Sequence, residues 1–380
     1  MYLSRYLLGN TNHVSFSIMK IPLDRPNITA LDLKELHEVI DSGQLVQGKY
    51  VELLESKFSE AHENRFSVAV SNGTTALHLA LLSLGVGPGD EVIVTAYSFV
   101  ASANAIVHCG AKPIFCDIGT FDFNMNSVLI EPLITQRTKA ILIVHEFGFP
   151  AHLELILEIA KRRNLFVVED AACSLGTQVN NRRLGVFGDL ACFSFHPRKL
   201  ITSGEGGMVL TSRKDLDSFL RISRNHGLAL EGVRRYSKAG YNYRMTDISA
   251  SLLLPQLARL EKIVEARNYI AQQYLDKIVN PKLSLPCTYG GVLYNWQTFP
   301  VRLRNELDLE LFLIHMSNLG ITSSKPAQFI PMEPHYIDNG SNPDDFPNAK
   351  STYFRTAAIP LFELMSAEDV VAVIEACNAF

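Results

Sequence analysis

No CxxC pair, no block of like charge, no long apolar run and no internal repeat occurs in this sequence, and each absence excludes a class. The six cysteines, Cys109, Cys116, Cys173, Cys192, Cys287 and Cys377, stand singly and mostly inside apolar runs. That reads as a reduced, cytoplasmic chain without a structural metal. Net charge is −4, from 35 Lys+Arg and 39 Asp+Glu. Neither nucleic acid nor an anionic membrane surface is an expected partner, and an anionic ligand has to be held by local groups. No stretch approaches the ~18 apolar residues of a membrane-spanning helix. What is present is core: 47% of the 380 residues are hydrophobic, enough for one large and one small domain.

The opening MYLSRYLLGNTNHVSFSIM has an apolar part, YLL, too short for a signal peptide. Met19 begins MKIPLDRP, which looks like a natural start. Residues 1–20 are therefore expected to be an extension without a part in the chemistry. From 65 to 212 continuous apolar runs alternate with helical spacings. FSVAV (66–70), EVIVTA (91–96), KPIFCDI (112–118), AILIV (140–144), LFVVED (165–170), ACFSFH and GMVLTS read as strands. Such runs predict an α/β fold with a mainly parallel sheet covered on both faces. Beyond 213 the pattern changes to a long amphipathic helix over 248–278, with Pro255 expected to kink it or end its first turns. Strand-like YNWQTFPVRL (294–303) and helical 308–320 and 366–380 follow. The expected division is 21–250, a large domain with an N-terminal helical segment, and 251–380, a smaller α+β domain entered through the long helix.

In open α/β sheets ligands sit at the carboxyl ends of strands. After FSVAV comes SNGTT, a glycine turn opening a helix, where free N–H groups and the positive dipole end can take an anion. Gly73 and Thr74 lie there. No GK[ST] makes it a Walker loop, and no GxGxxG makes a nicotinamide dehydrogenase. After EVIVTA comes Phe99, a candidate plate for a flat ring. After LFVVE comes Asp170, a carboxylate that needs a cation or several donors. After ACFSF come His196 and Lys199, with Ser194 on the strand and a Gly204–Gly207 turn that lets backbone approach. A lysine at a strand end is ordinarily solvated; this neighbourhood argues otherwise. Phosphate cradle, aromatic plate, carboxylate and amine together suit pyridoxal 5′-phosphate (PLP), whose ring nitrogen needs an acid and whose aldehyde needs a lysine. Desolvation beside other cations is expected to lower the Lys199 pKa from its ordinary value.

VVEDAA, FSFHPRK and GEGG, in that order, resemble the DegT/DnrJ/EryC1/StrS family of sugar aminotransferases. SGQLVQGKYVELLESKF, SNGTTALHLAL, SFVASANAI, VHEFGFPA and GYNYRMTDI agree, closely over residues 21–275 and more weakly to the end. The resemblance implies the fold type I, aspartate aminotransferase-like architecture of PLP-dependent transferases. It implies that Lys199 forms the Schiff base and moves the proton, and that Asp170 pairs with the ring nitrogen. Phe99 stacks on the ring, Gly73, Thr74 and Ser194 hold the phosphate, and Cys173 packs against the cofactor. Asn242 reaches the phosphate in the partner subunit, which implies a homodimer with shared active sites. L-Glutamate is the implied amino donor and a nucleotide-linked keto-sugar the acceptor. The sequence departs from the family pattern at Cys173, where Gln or His is common, at Ser203, where Thr is common, and at Pro255, where Ala is common. Arg234, Arg235, Lys238 and Arg244 are candidates to meet a nucleotide diphosphate, or else form a solvated loop. Two alternatives stay open: a sugar dehydratase on the same fold, whose members replace the lysine by histidine, and a non-catalytic regulatory homologue.

Overall fold

The computed structural model describes residues 20–120, 122–230 and 235–380. The expected extension, but for Lys20, and Arg234 therefore lie outside the described residues. Seven strands form one sheet: β1 (Phe66–Val70), β2 (Glu91–Thr95), β3 (Lys112–Cys116), β4 (Thr138–Val144), β5 (Phe166–Asp170), β6 (Leu190–Ser194) and β7 (Gly207–Thr211). Their order is β1-β7-β6-β5-β4-β2-β3. Neighbours from β6 across to β3 run parallel, and β1 and β7 add an antiparallel edge.

Apolar runs without polar alternation are buried on both sides because successive side chains face opposite ways. Val94, Leu142, Val144, Val168 and Cys192 enter one core cluster. Ile93, Ile141, Ile143 and Val167 enter another on the opposite face, continued by Ala191, Phe193 and Met208. The helices that cover these faces include α1 (Ala30–Ser42), α2 (Lys49–Ala61), α3 (Gly73–Ser83), α4 (Ala101–His108), α5 (Leu153–Arg163) and α6 (Lys214–Arg224).

The long helix is in fact two, α7 (Asp247–Ala258) and α8 (Leu260–Lys277). Pro255 lies inside α7, and the break comes at Arg259, with φ −108° and ψ 14°. A proline removes one helical N–H and crowds the preceding turn. Here the chain turns a few residues later, where the Arg259 guanidinium reaches Asp32 of α1 at 2.7 and 2.8 Å. Beyond α8, β8 (Leu283–Ser284), β9 (Phe299–Leu303) and β10 (Thr356–Ile359) form a small antiparallel sheet. The strand expected over 294–303 starts only at Phe299, because Trp296 adopts φ 49° and its carbonyl accepts from the buried Arg267. Among the described residues no helix is long and apolar enough to cross a membrane. The C-terminal region reaches the large sheet's carboxyl edge where Gln328–Phe329 pairs antiparallel with Tyr97–Ser98.

Candidate active site

Asp170 ends β5 and is 5% exposed. One carboxyl oxygen accepts from the Ser102 hydroxyl at 2.7 Å, the other from the Ala172 N–H at 3.2 Å. A carboxylate has room for about four such donors. Burial therefore prevails and pushes Asp170 above the usual carboxylate range, despite Ser102, Ala172 and Lys199. A cation on its free side would reverse that.

Lys199 sits in the loop after β6, half-buried, its Nζ 3.1 Å from the Cys173 sulfur. The loop is fixed from both ends. Phe195 N–H donates to the Gly206 carbonyl at 2.8 Å, and Gln256 of α7 exchanges hydrogen bonds with both backbone groups of Thr202. Burial works against the Lys199 charge, but Cys173, Asp170 and Glu146 outweigh it, and the amine's pKa is raised. This corrects the expectation of a lowered value: the neighbours that desolvation acts beside are acids, not cations. Burial also raises the Cys173 thiol. The sulfur accepts a hydrogen bond from the amine and is the first of the neighbours that favour its charge, ahead of Asp170 and Glu146.

The anion cradle is built by α3. Asn72 caps it, its Oδ1 accepting from Thr75 N–H at 2.9 Å. The Gly73 and Thr74 N–H groups are left without an acceptor among the described residues. A Cβ on Gly73 would lie 2.9 Å from Ser194 Cβ and 3.2 Å from its Oγ. Glycine is what lets Ser194 and the helix N-terminus share one side of the cradle. Phe99 is 61% exposed and lines a cleft of about 540 Å³ with Gln328, His335 and Tyr336.

The structure thus gathers Asp170, Cys173 and Lys199, and separately Gly73, Thr74 and Ser194, along one sheet edge. Phe99 is tied to it only through its carbonyl, which accepts from Ser102 N–H at 3.2 Å, and its cleft is lined by none of them. Asn242 is exposed. Its backbone bridges to Asn225, and Tyr243 next to it accepts from Ser71 N–H at 2.9 Å. Of the basic loop residues, Lys238 lies over the Phe219 ring and Arg244 donates to Asn225 at 2.7 Å.

Sequence reasoning missed a supporting layer. Glu169, beside Asp170 but on the other face, accepts from His145 Nε2 at 3.0 Å and from the N–H groups of Gly185, Phe187 and Gly188. His145 Nδ1 accepts from Ala151 N–H at 3.1 Å, and that leaves the proton on Nε2. Ser102, Gln256 and Glu146 were missed as well. Glu146 follows strand β4 and could have been found by the strand-end rule that located Asp170.

A buried acid short of donors, a facing amine and a helix N-terminus with free N–H groups fit PLP's ring nitrogen, aldehyde and phosphate. The fold and this edge define a PLP-dependent aminotransferase. Comparison with known proteins agrees: a model of the DegT/DnrJ/EryC1/StrS aminotransferase family matches residues 26–378, and the chain belongs to that family. It is 36% identical to a GDP-perosamine synthase of Escherichia coli O157:H7, over 95% of this chain and 98% of that protein. It is 34% identical to the spore coat polysaccharide biosynthesis protein SpsC of Bacillus subtilis, over 94% of this chain and 96% of that protein. Streptococcus pneumoniae Spr1654, solved in PLP and PMP forms, superposes with TM-score 0.91 at 27% identity. In its PLP form the match covers 94% of this chain and 98% of that one.

Proposed function

We propose that this protein moves an amino group from L-glutamate to a nucleotide-linked keto-sugar, a 4-keto- or 3-keto-6-deoxysugar on dTDP, UDP or GDP. The product would serve a surface polysaccharide or another deoxyaminosugar glycan. The observation that carries the reading is the Lys199 amine, 3.1 Å from Cys173 Sγ and within the electrostatic reach of buried Asp170, beyond the ends of adjacent strands. The sugar class is supported by the relatives, a GDP-perosamine synthase among them. Bound PLP supplies an electron sink for the carbon that loses or gains the amino group.

The chain's own residues do the rest. Asp170 holds the ring nitrogen's proton, and the N–H groups of Gly73 and Thr74 with the Ser194 hydroxyl hold the phosphate. Phe99 and Cys173 bound the ring. Lys199, once its amine is free, takes the proton from Cα of the amino donor as general base and later delivers one to the sugar carbon. Asn242 completes the phosphate site of a second copy, in a cytoplasmic homodimer. Its exposed side chain and the exposed Leu31 and Val46 support that arrangement. Residues 21–250 serve as the cofactor-binding domain and 251–380 as the smaller one.

The test is the visible spectrum of the PLP-loaded protein before and after L-glutamate, for wild type and Lys199→Ala. Wild type is expected to show a lysine-linked cofactor band that glutamate removes, and the variant to lack it. A panel of nucleotide keto-sugars then restores the band for the true acceptor. Wild type that binds no PLP refutes the reading, and one that binds PLP but ignores glutamate refutes the donor.

A further inference from the structure

Glu146 is a buried acid to which the mechanism above gives no role. It lies two residues past β4, in a short turn over Glu146–Gly148 that brings its carboxyl towards Asp170 and Lys199, while His145 before it goes to Glu169. It is 4% exposed, and its Oε2 is buried without any hydrogen-bond partner among the described residues. A buried, unpaired carboxyl oxygen carries a large desolvation cost.

The backbone that places it is unusually constrained. Phe147 and Gly148, the next two residues, both have positive φ, 58° and 91°. A non-glycine residue in that region is strained and persists only where its surroundings over-determine it. They do so here. Glu146 N–H donates to Asn124 Oδ1 at 3.0 Å, and Gly148 O accepts from Thr177 Oγ1 at 3.0 Å. A Cβ on Gly148 would collide with the Asn295 side chain, whose amide also ties down Cys173 and Leu175. The loop that presents Glu146 is therefore locked to the loop that presents Cys173.

We infer that Glu146 is a further binding residue of the cofactor site, its unpartnered carboxyl oxygen donating a hydrogen bond to an acceptor oxygen on the molecule held between Asp170 and Lys199. This rests on the aminotransferase reading. The groups that face Glu146 are Ser98 and Tyr97 before α4, Asp170 and Cys173 at and after β5, and Lys199 after β6. Burial, reinforced by Asp170 and opposed by Ser98 and Lys199, pushes Glu146 up to about 8. At neutral pH it is a carboxylic acid with a proton to donate. Beside a second carboxyl group, a neutral donor is the form that an acceptor oxygen can use. That oxygen can belong to the cofactor ring or to a bound substrate.

The experiment titrates wild type, Glu146→Leu and Glu146→Gln with PLP, then titrates the loaded proteins with L-glutamate, following the visible spectrum. Leucine removes the donor; glutamine keeps an N–H and the volume. If the oxygen is the cofactor's, Glu146→Leu weakens PLP binding about 10-fold or more, and glutamine restores most of it. If it is the substrate's, PLP binding is unchanged and the glutamate needed for half-conversion rises by about as much. Wild type should also show a spectral transition that Glu146→Gln lacks, displaced to higher pH than in the cofactor-free protein because the donated hydrogen bond favours the protonated acid, a readout that stands even if the leucine variant does not fold. Unchanged affinities in both titrations, or a glutamine variant with the wild-type pH profile, overturn the inference and leave Glu146 a structural acid. Wild type that binds no PLP overturns the aminotransferase reading itself and this inference with it, a result distinct from either.

Discussion

Glu169 and Asp170 are consecutive residues of one strand, both buried, and their acidities move in opposite directions. Burial works against both charges. On one face of the sheet, His145 and the Gly188 and Gly185 N–H groups outweigh it, and Glu169 lies below the usual carboxylate range. On the other face Asp170 has Ser102 and Ala172, burial prevails, and it lies above that range. The difference is a count of donors. A carboxylate whose oxygens are all engaged is a fastening, here joining β5 to the loops after β4 and before β6. One left short of donors is available to a cation that arrives later. A pleat of one residue is enough to separate structure from chemistry.

Asp170→Asn would break the chemical half of this comparison. The amide keeps the shape and the Ser102 contact but cannot carry the charge that stabilises a ring-nitrogen cation. Turnover with glutamate is expected to fall about 10²–10³-fold. Stability should change by less than about 1 kcal/mol, since the carboxylate it replaces was poorly satisfied. Steady-state kinetics and a thermal melt on the same sample test both halves.

Glu169→Gln would break the structural half. An amide offers one acceptor oxygen where His145, Gly185, Phe187 and Gly188 need two, and its NH2 faces donors. Loss of a buried, fully paired acid costs about 3 kcal/mol. The expected result is a clear drop in thermal midpoint, with the PLP spectrum retained in the fraction that remains folded. A variant that melts like wild type would show that the donor count does not measure the role.

A third acid tests the same rule by pH. Glu146 has fewer partners still, and its proton is held to about 8 against the usual 4.5. Between those values the folded state binds more protons at this group than the unfolded state. Its contribution to stability therefore falls as pH rises from about 4.5 and levels off above about 8, a loss on the order of a few kcal/mol at most. Glu146→Gln lacks that slope. Thermal midpoints of the cofactor-free proteins from about pH 5 to 9 should show the variant gaining on wild type as pH rises. A constant gap would mean that Glu146 is ionised throughout.

The strands carrying these acids were legible because continuous apolar runs have one common explanation, burial on both faces, and the rule about strand ends then pointed to Asp170 and Lys199. The donor count was not legible. Glu169 is tied by N–H groups from residues 185–188, and Ser102 reaches Asp170 from α4, contacts that the sequence does not announce. The wrong sign for Lys199 had the same origin. Its neighbours Cys173 and Glu146 come from different strand ends, and nothing in FSFHPRK names them. Pro255 was read by its local effect, whereas the break falls a few residues later at Arg259, the residue that meets Asp32 on α1. Local pattern located the elements; contacts across elements decided the ionisation and the bends.

The smallest effect is expected at the cradle, where satisfaction is a matter of space rather than charge. Gly73 has no positive φ to require glycine, and alanine there is by itself a better helix former. What stands in the way is Ser194, whose Cβ would lie 2.9 Å from the new methyl. Either β6 or the start of α3 has to give by a few tenths of an ångström, and both carry groups proposed to hold the phosphate. Gly73→Ala should leave the thermal midpoint of the cofactor-free protein nearly unchanged, strain and helix propensity offsetting each other. It should weaken PLP binding by about 1 kcal/mol, roughly 5-fold in Kd. Inorganic phosphate, competing with PLP, should lose affinity in the same proportion, because the defect is in the anion cradle and not at Lys199. If PLP weakens while phosphate does not, the methyl acts on the ring side, and α3 is not where the phosphate sits.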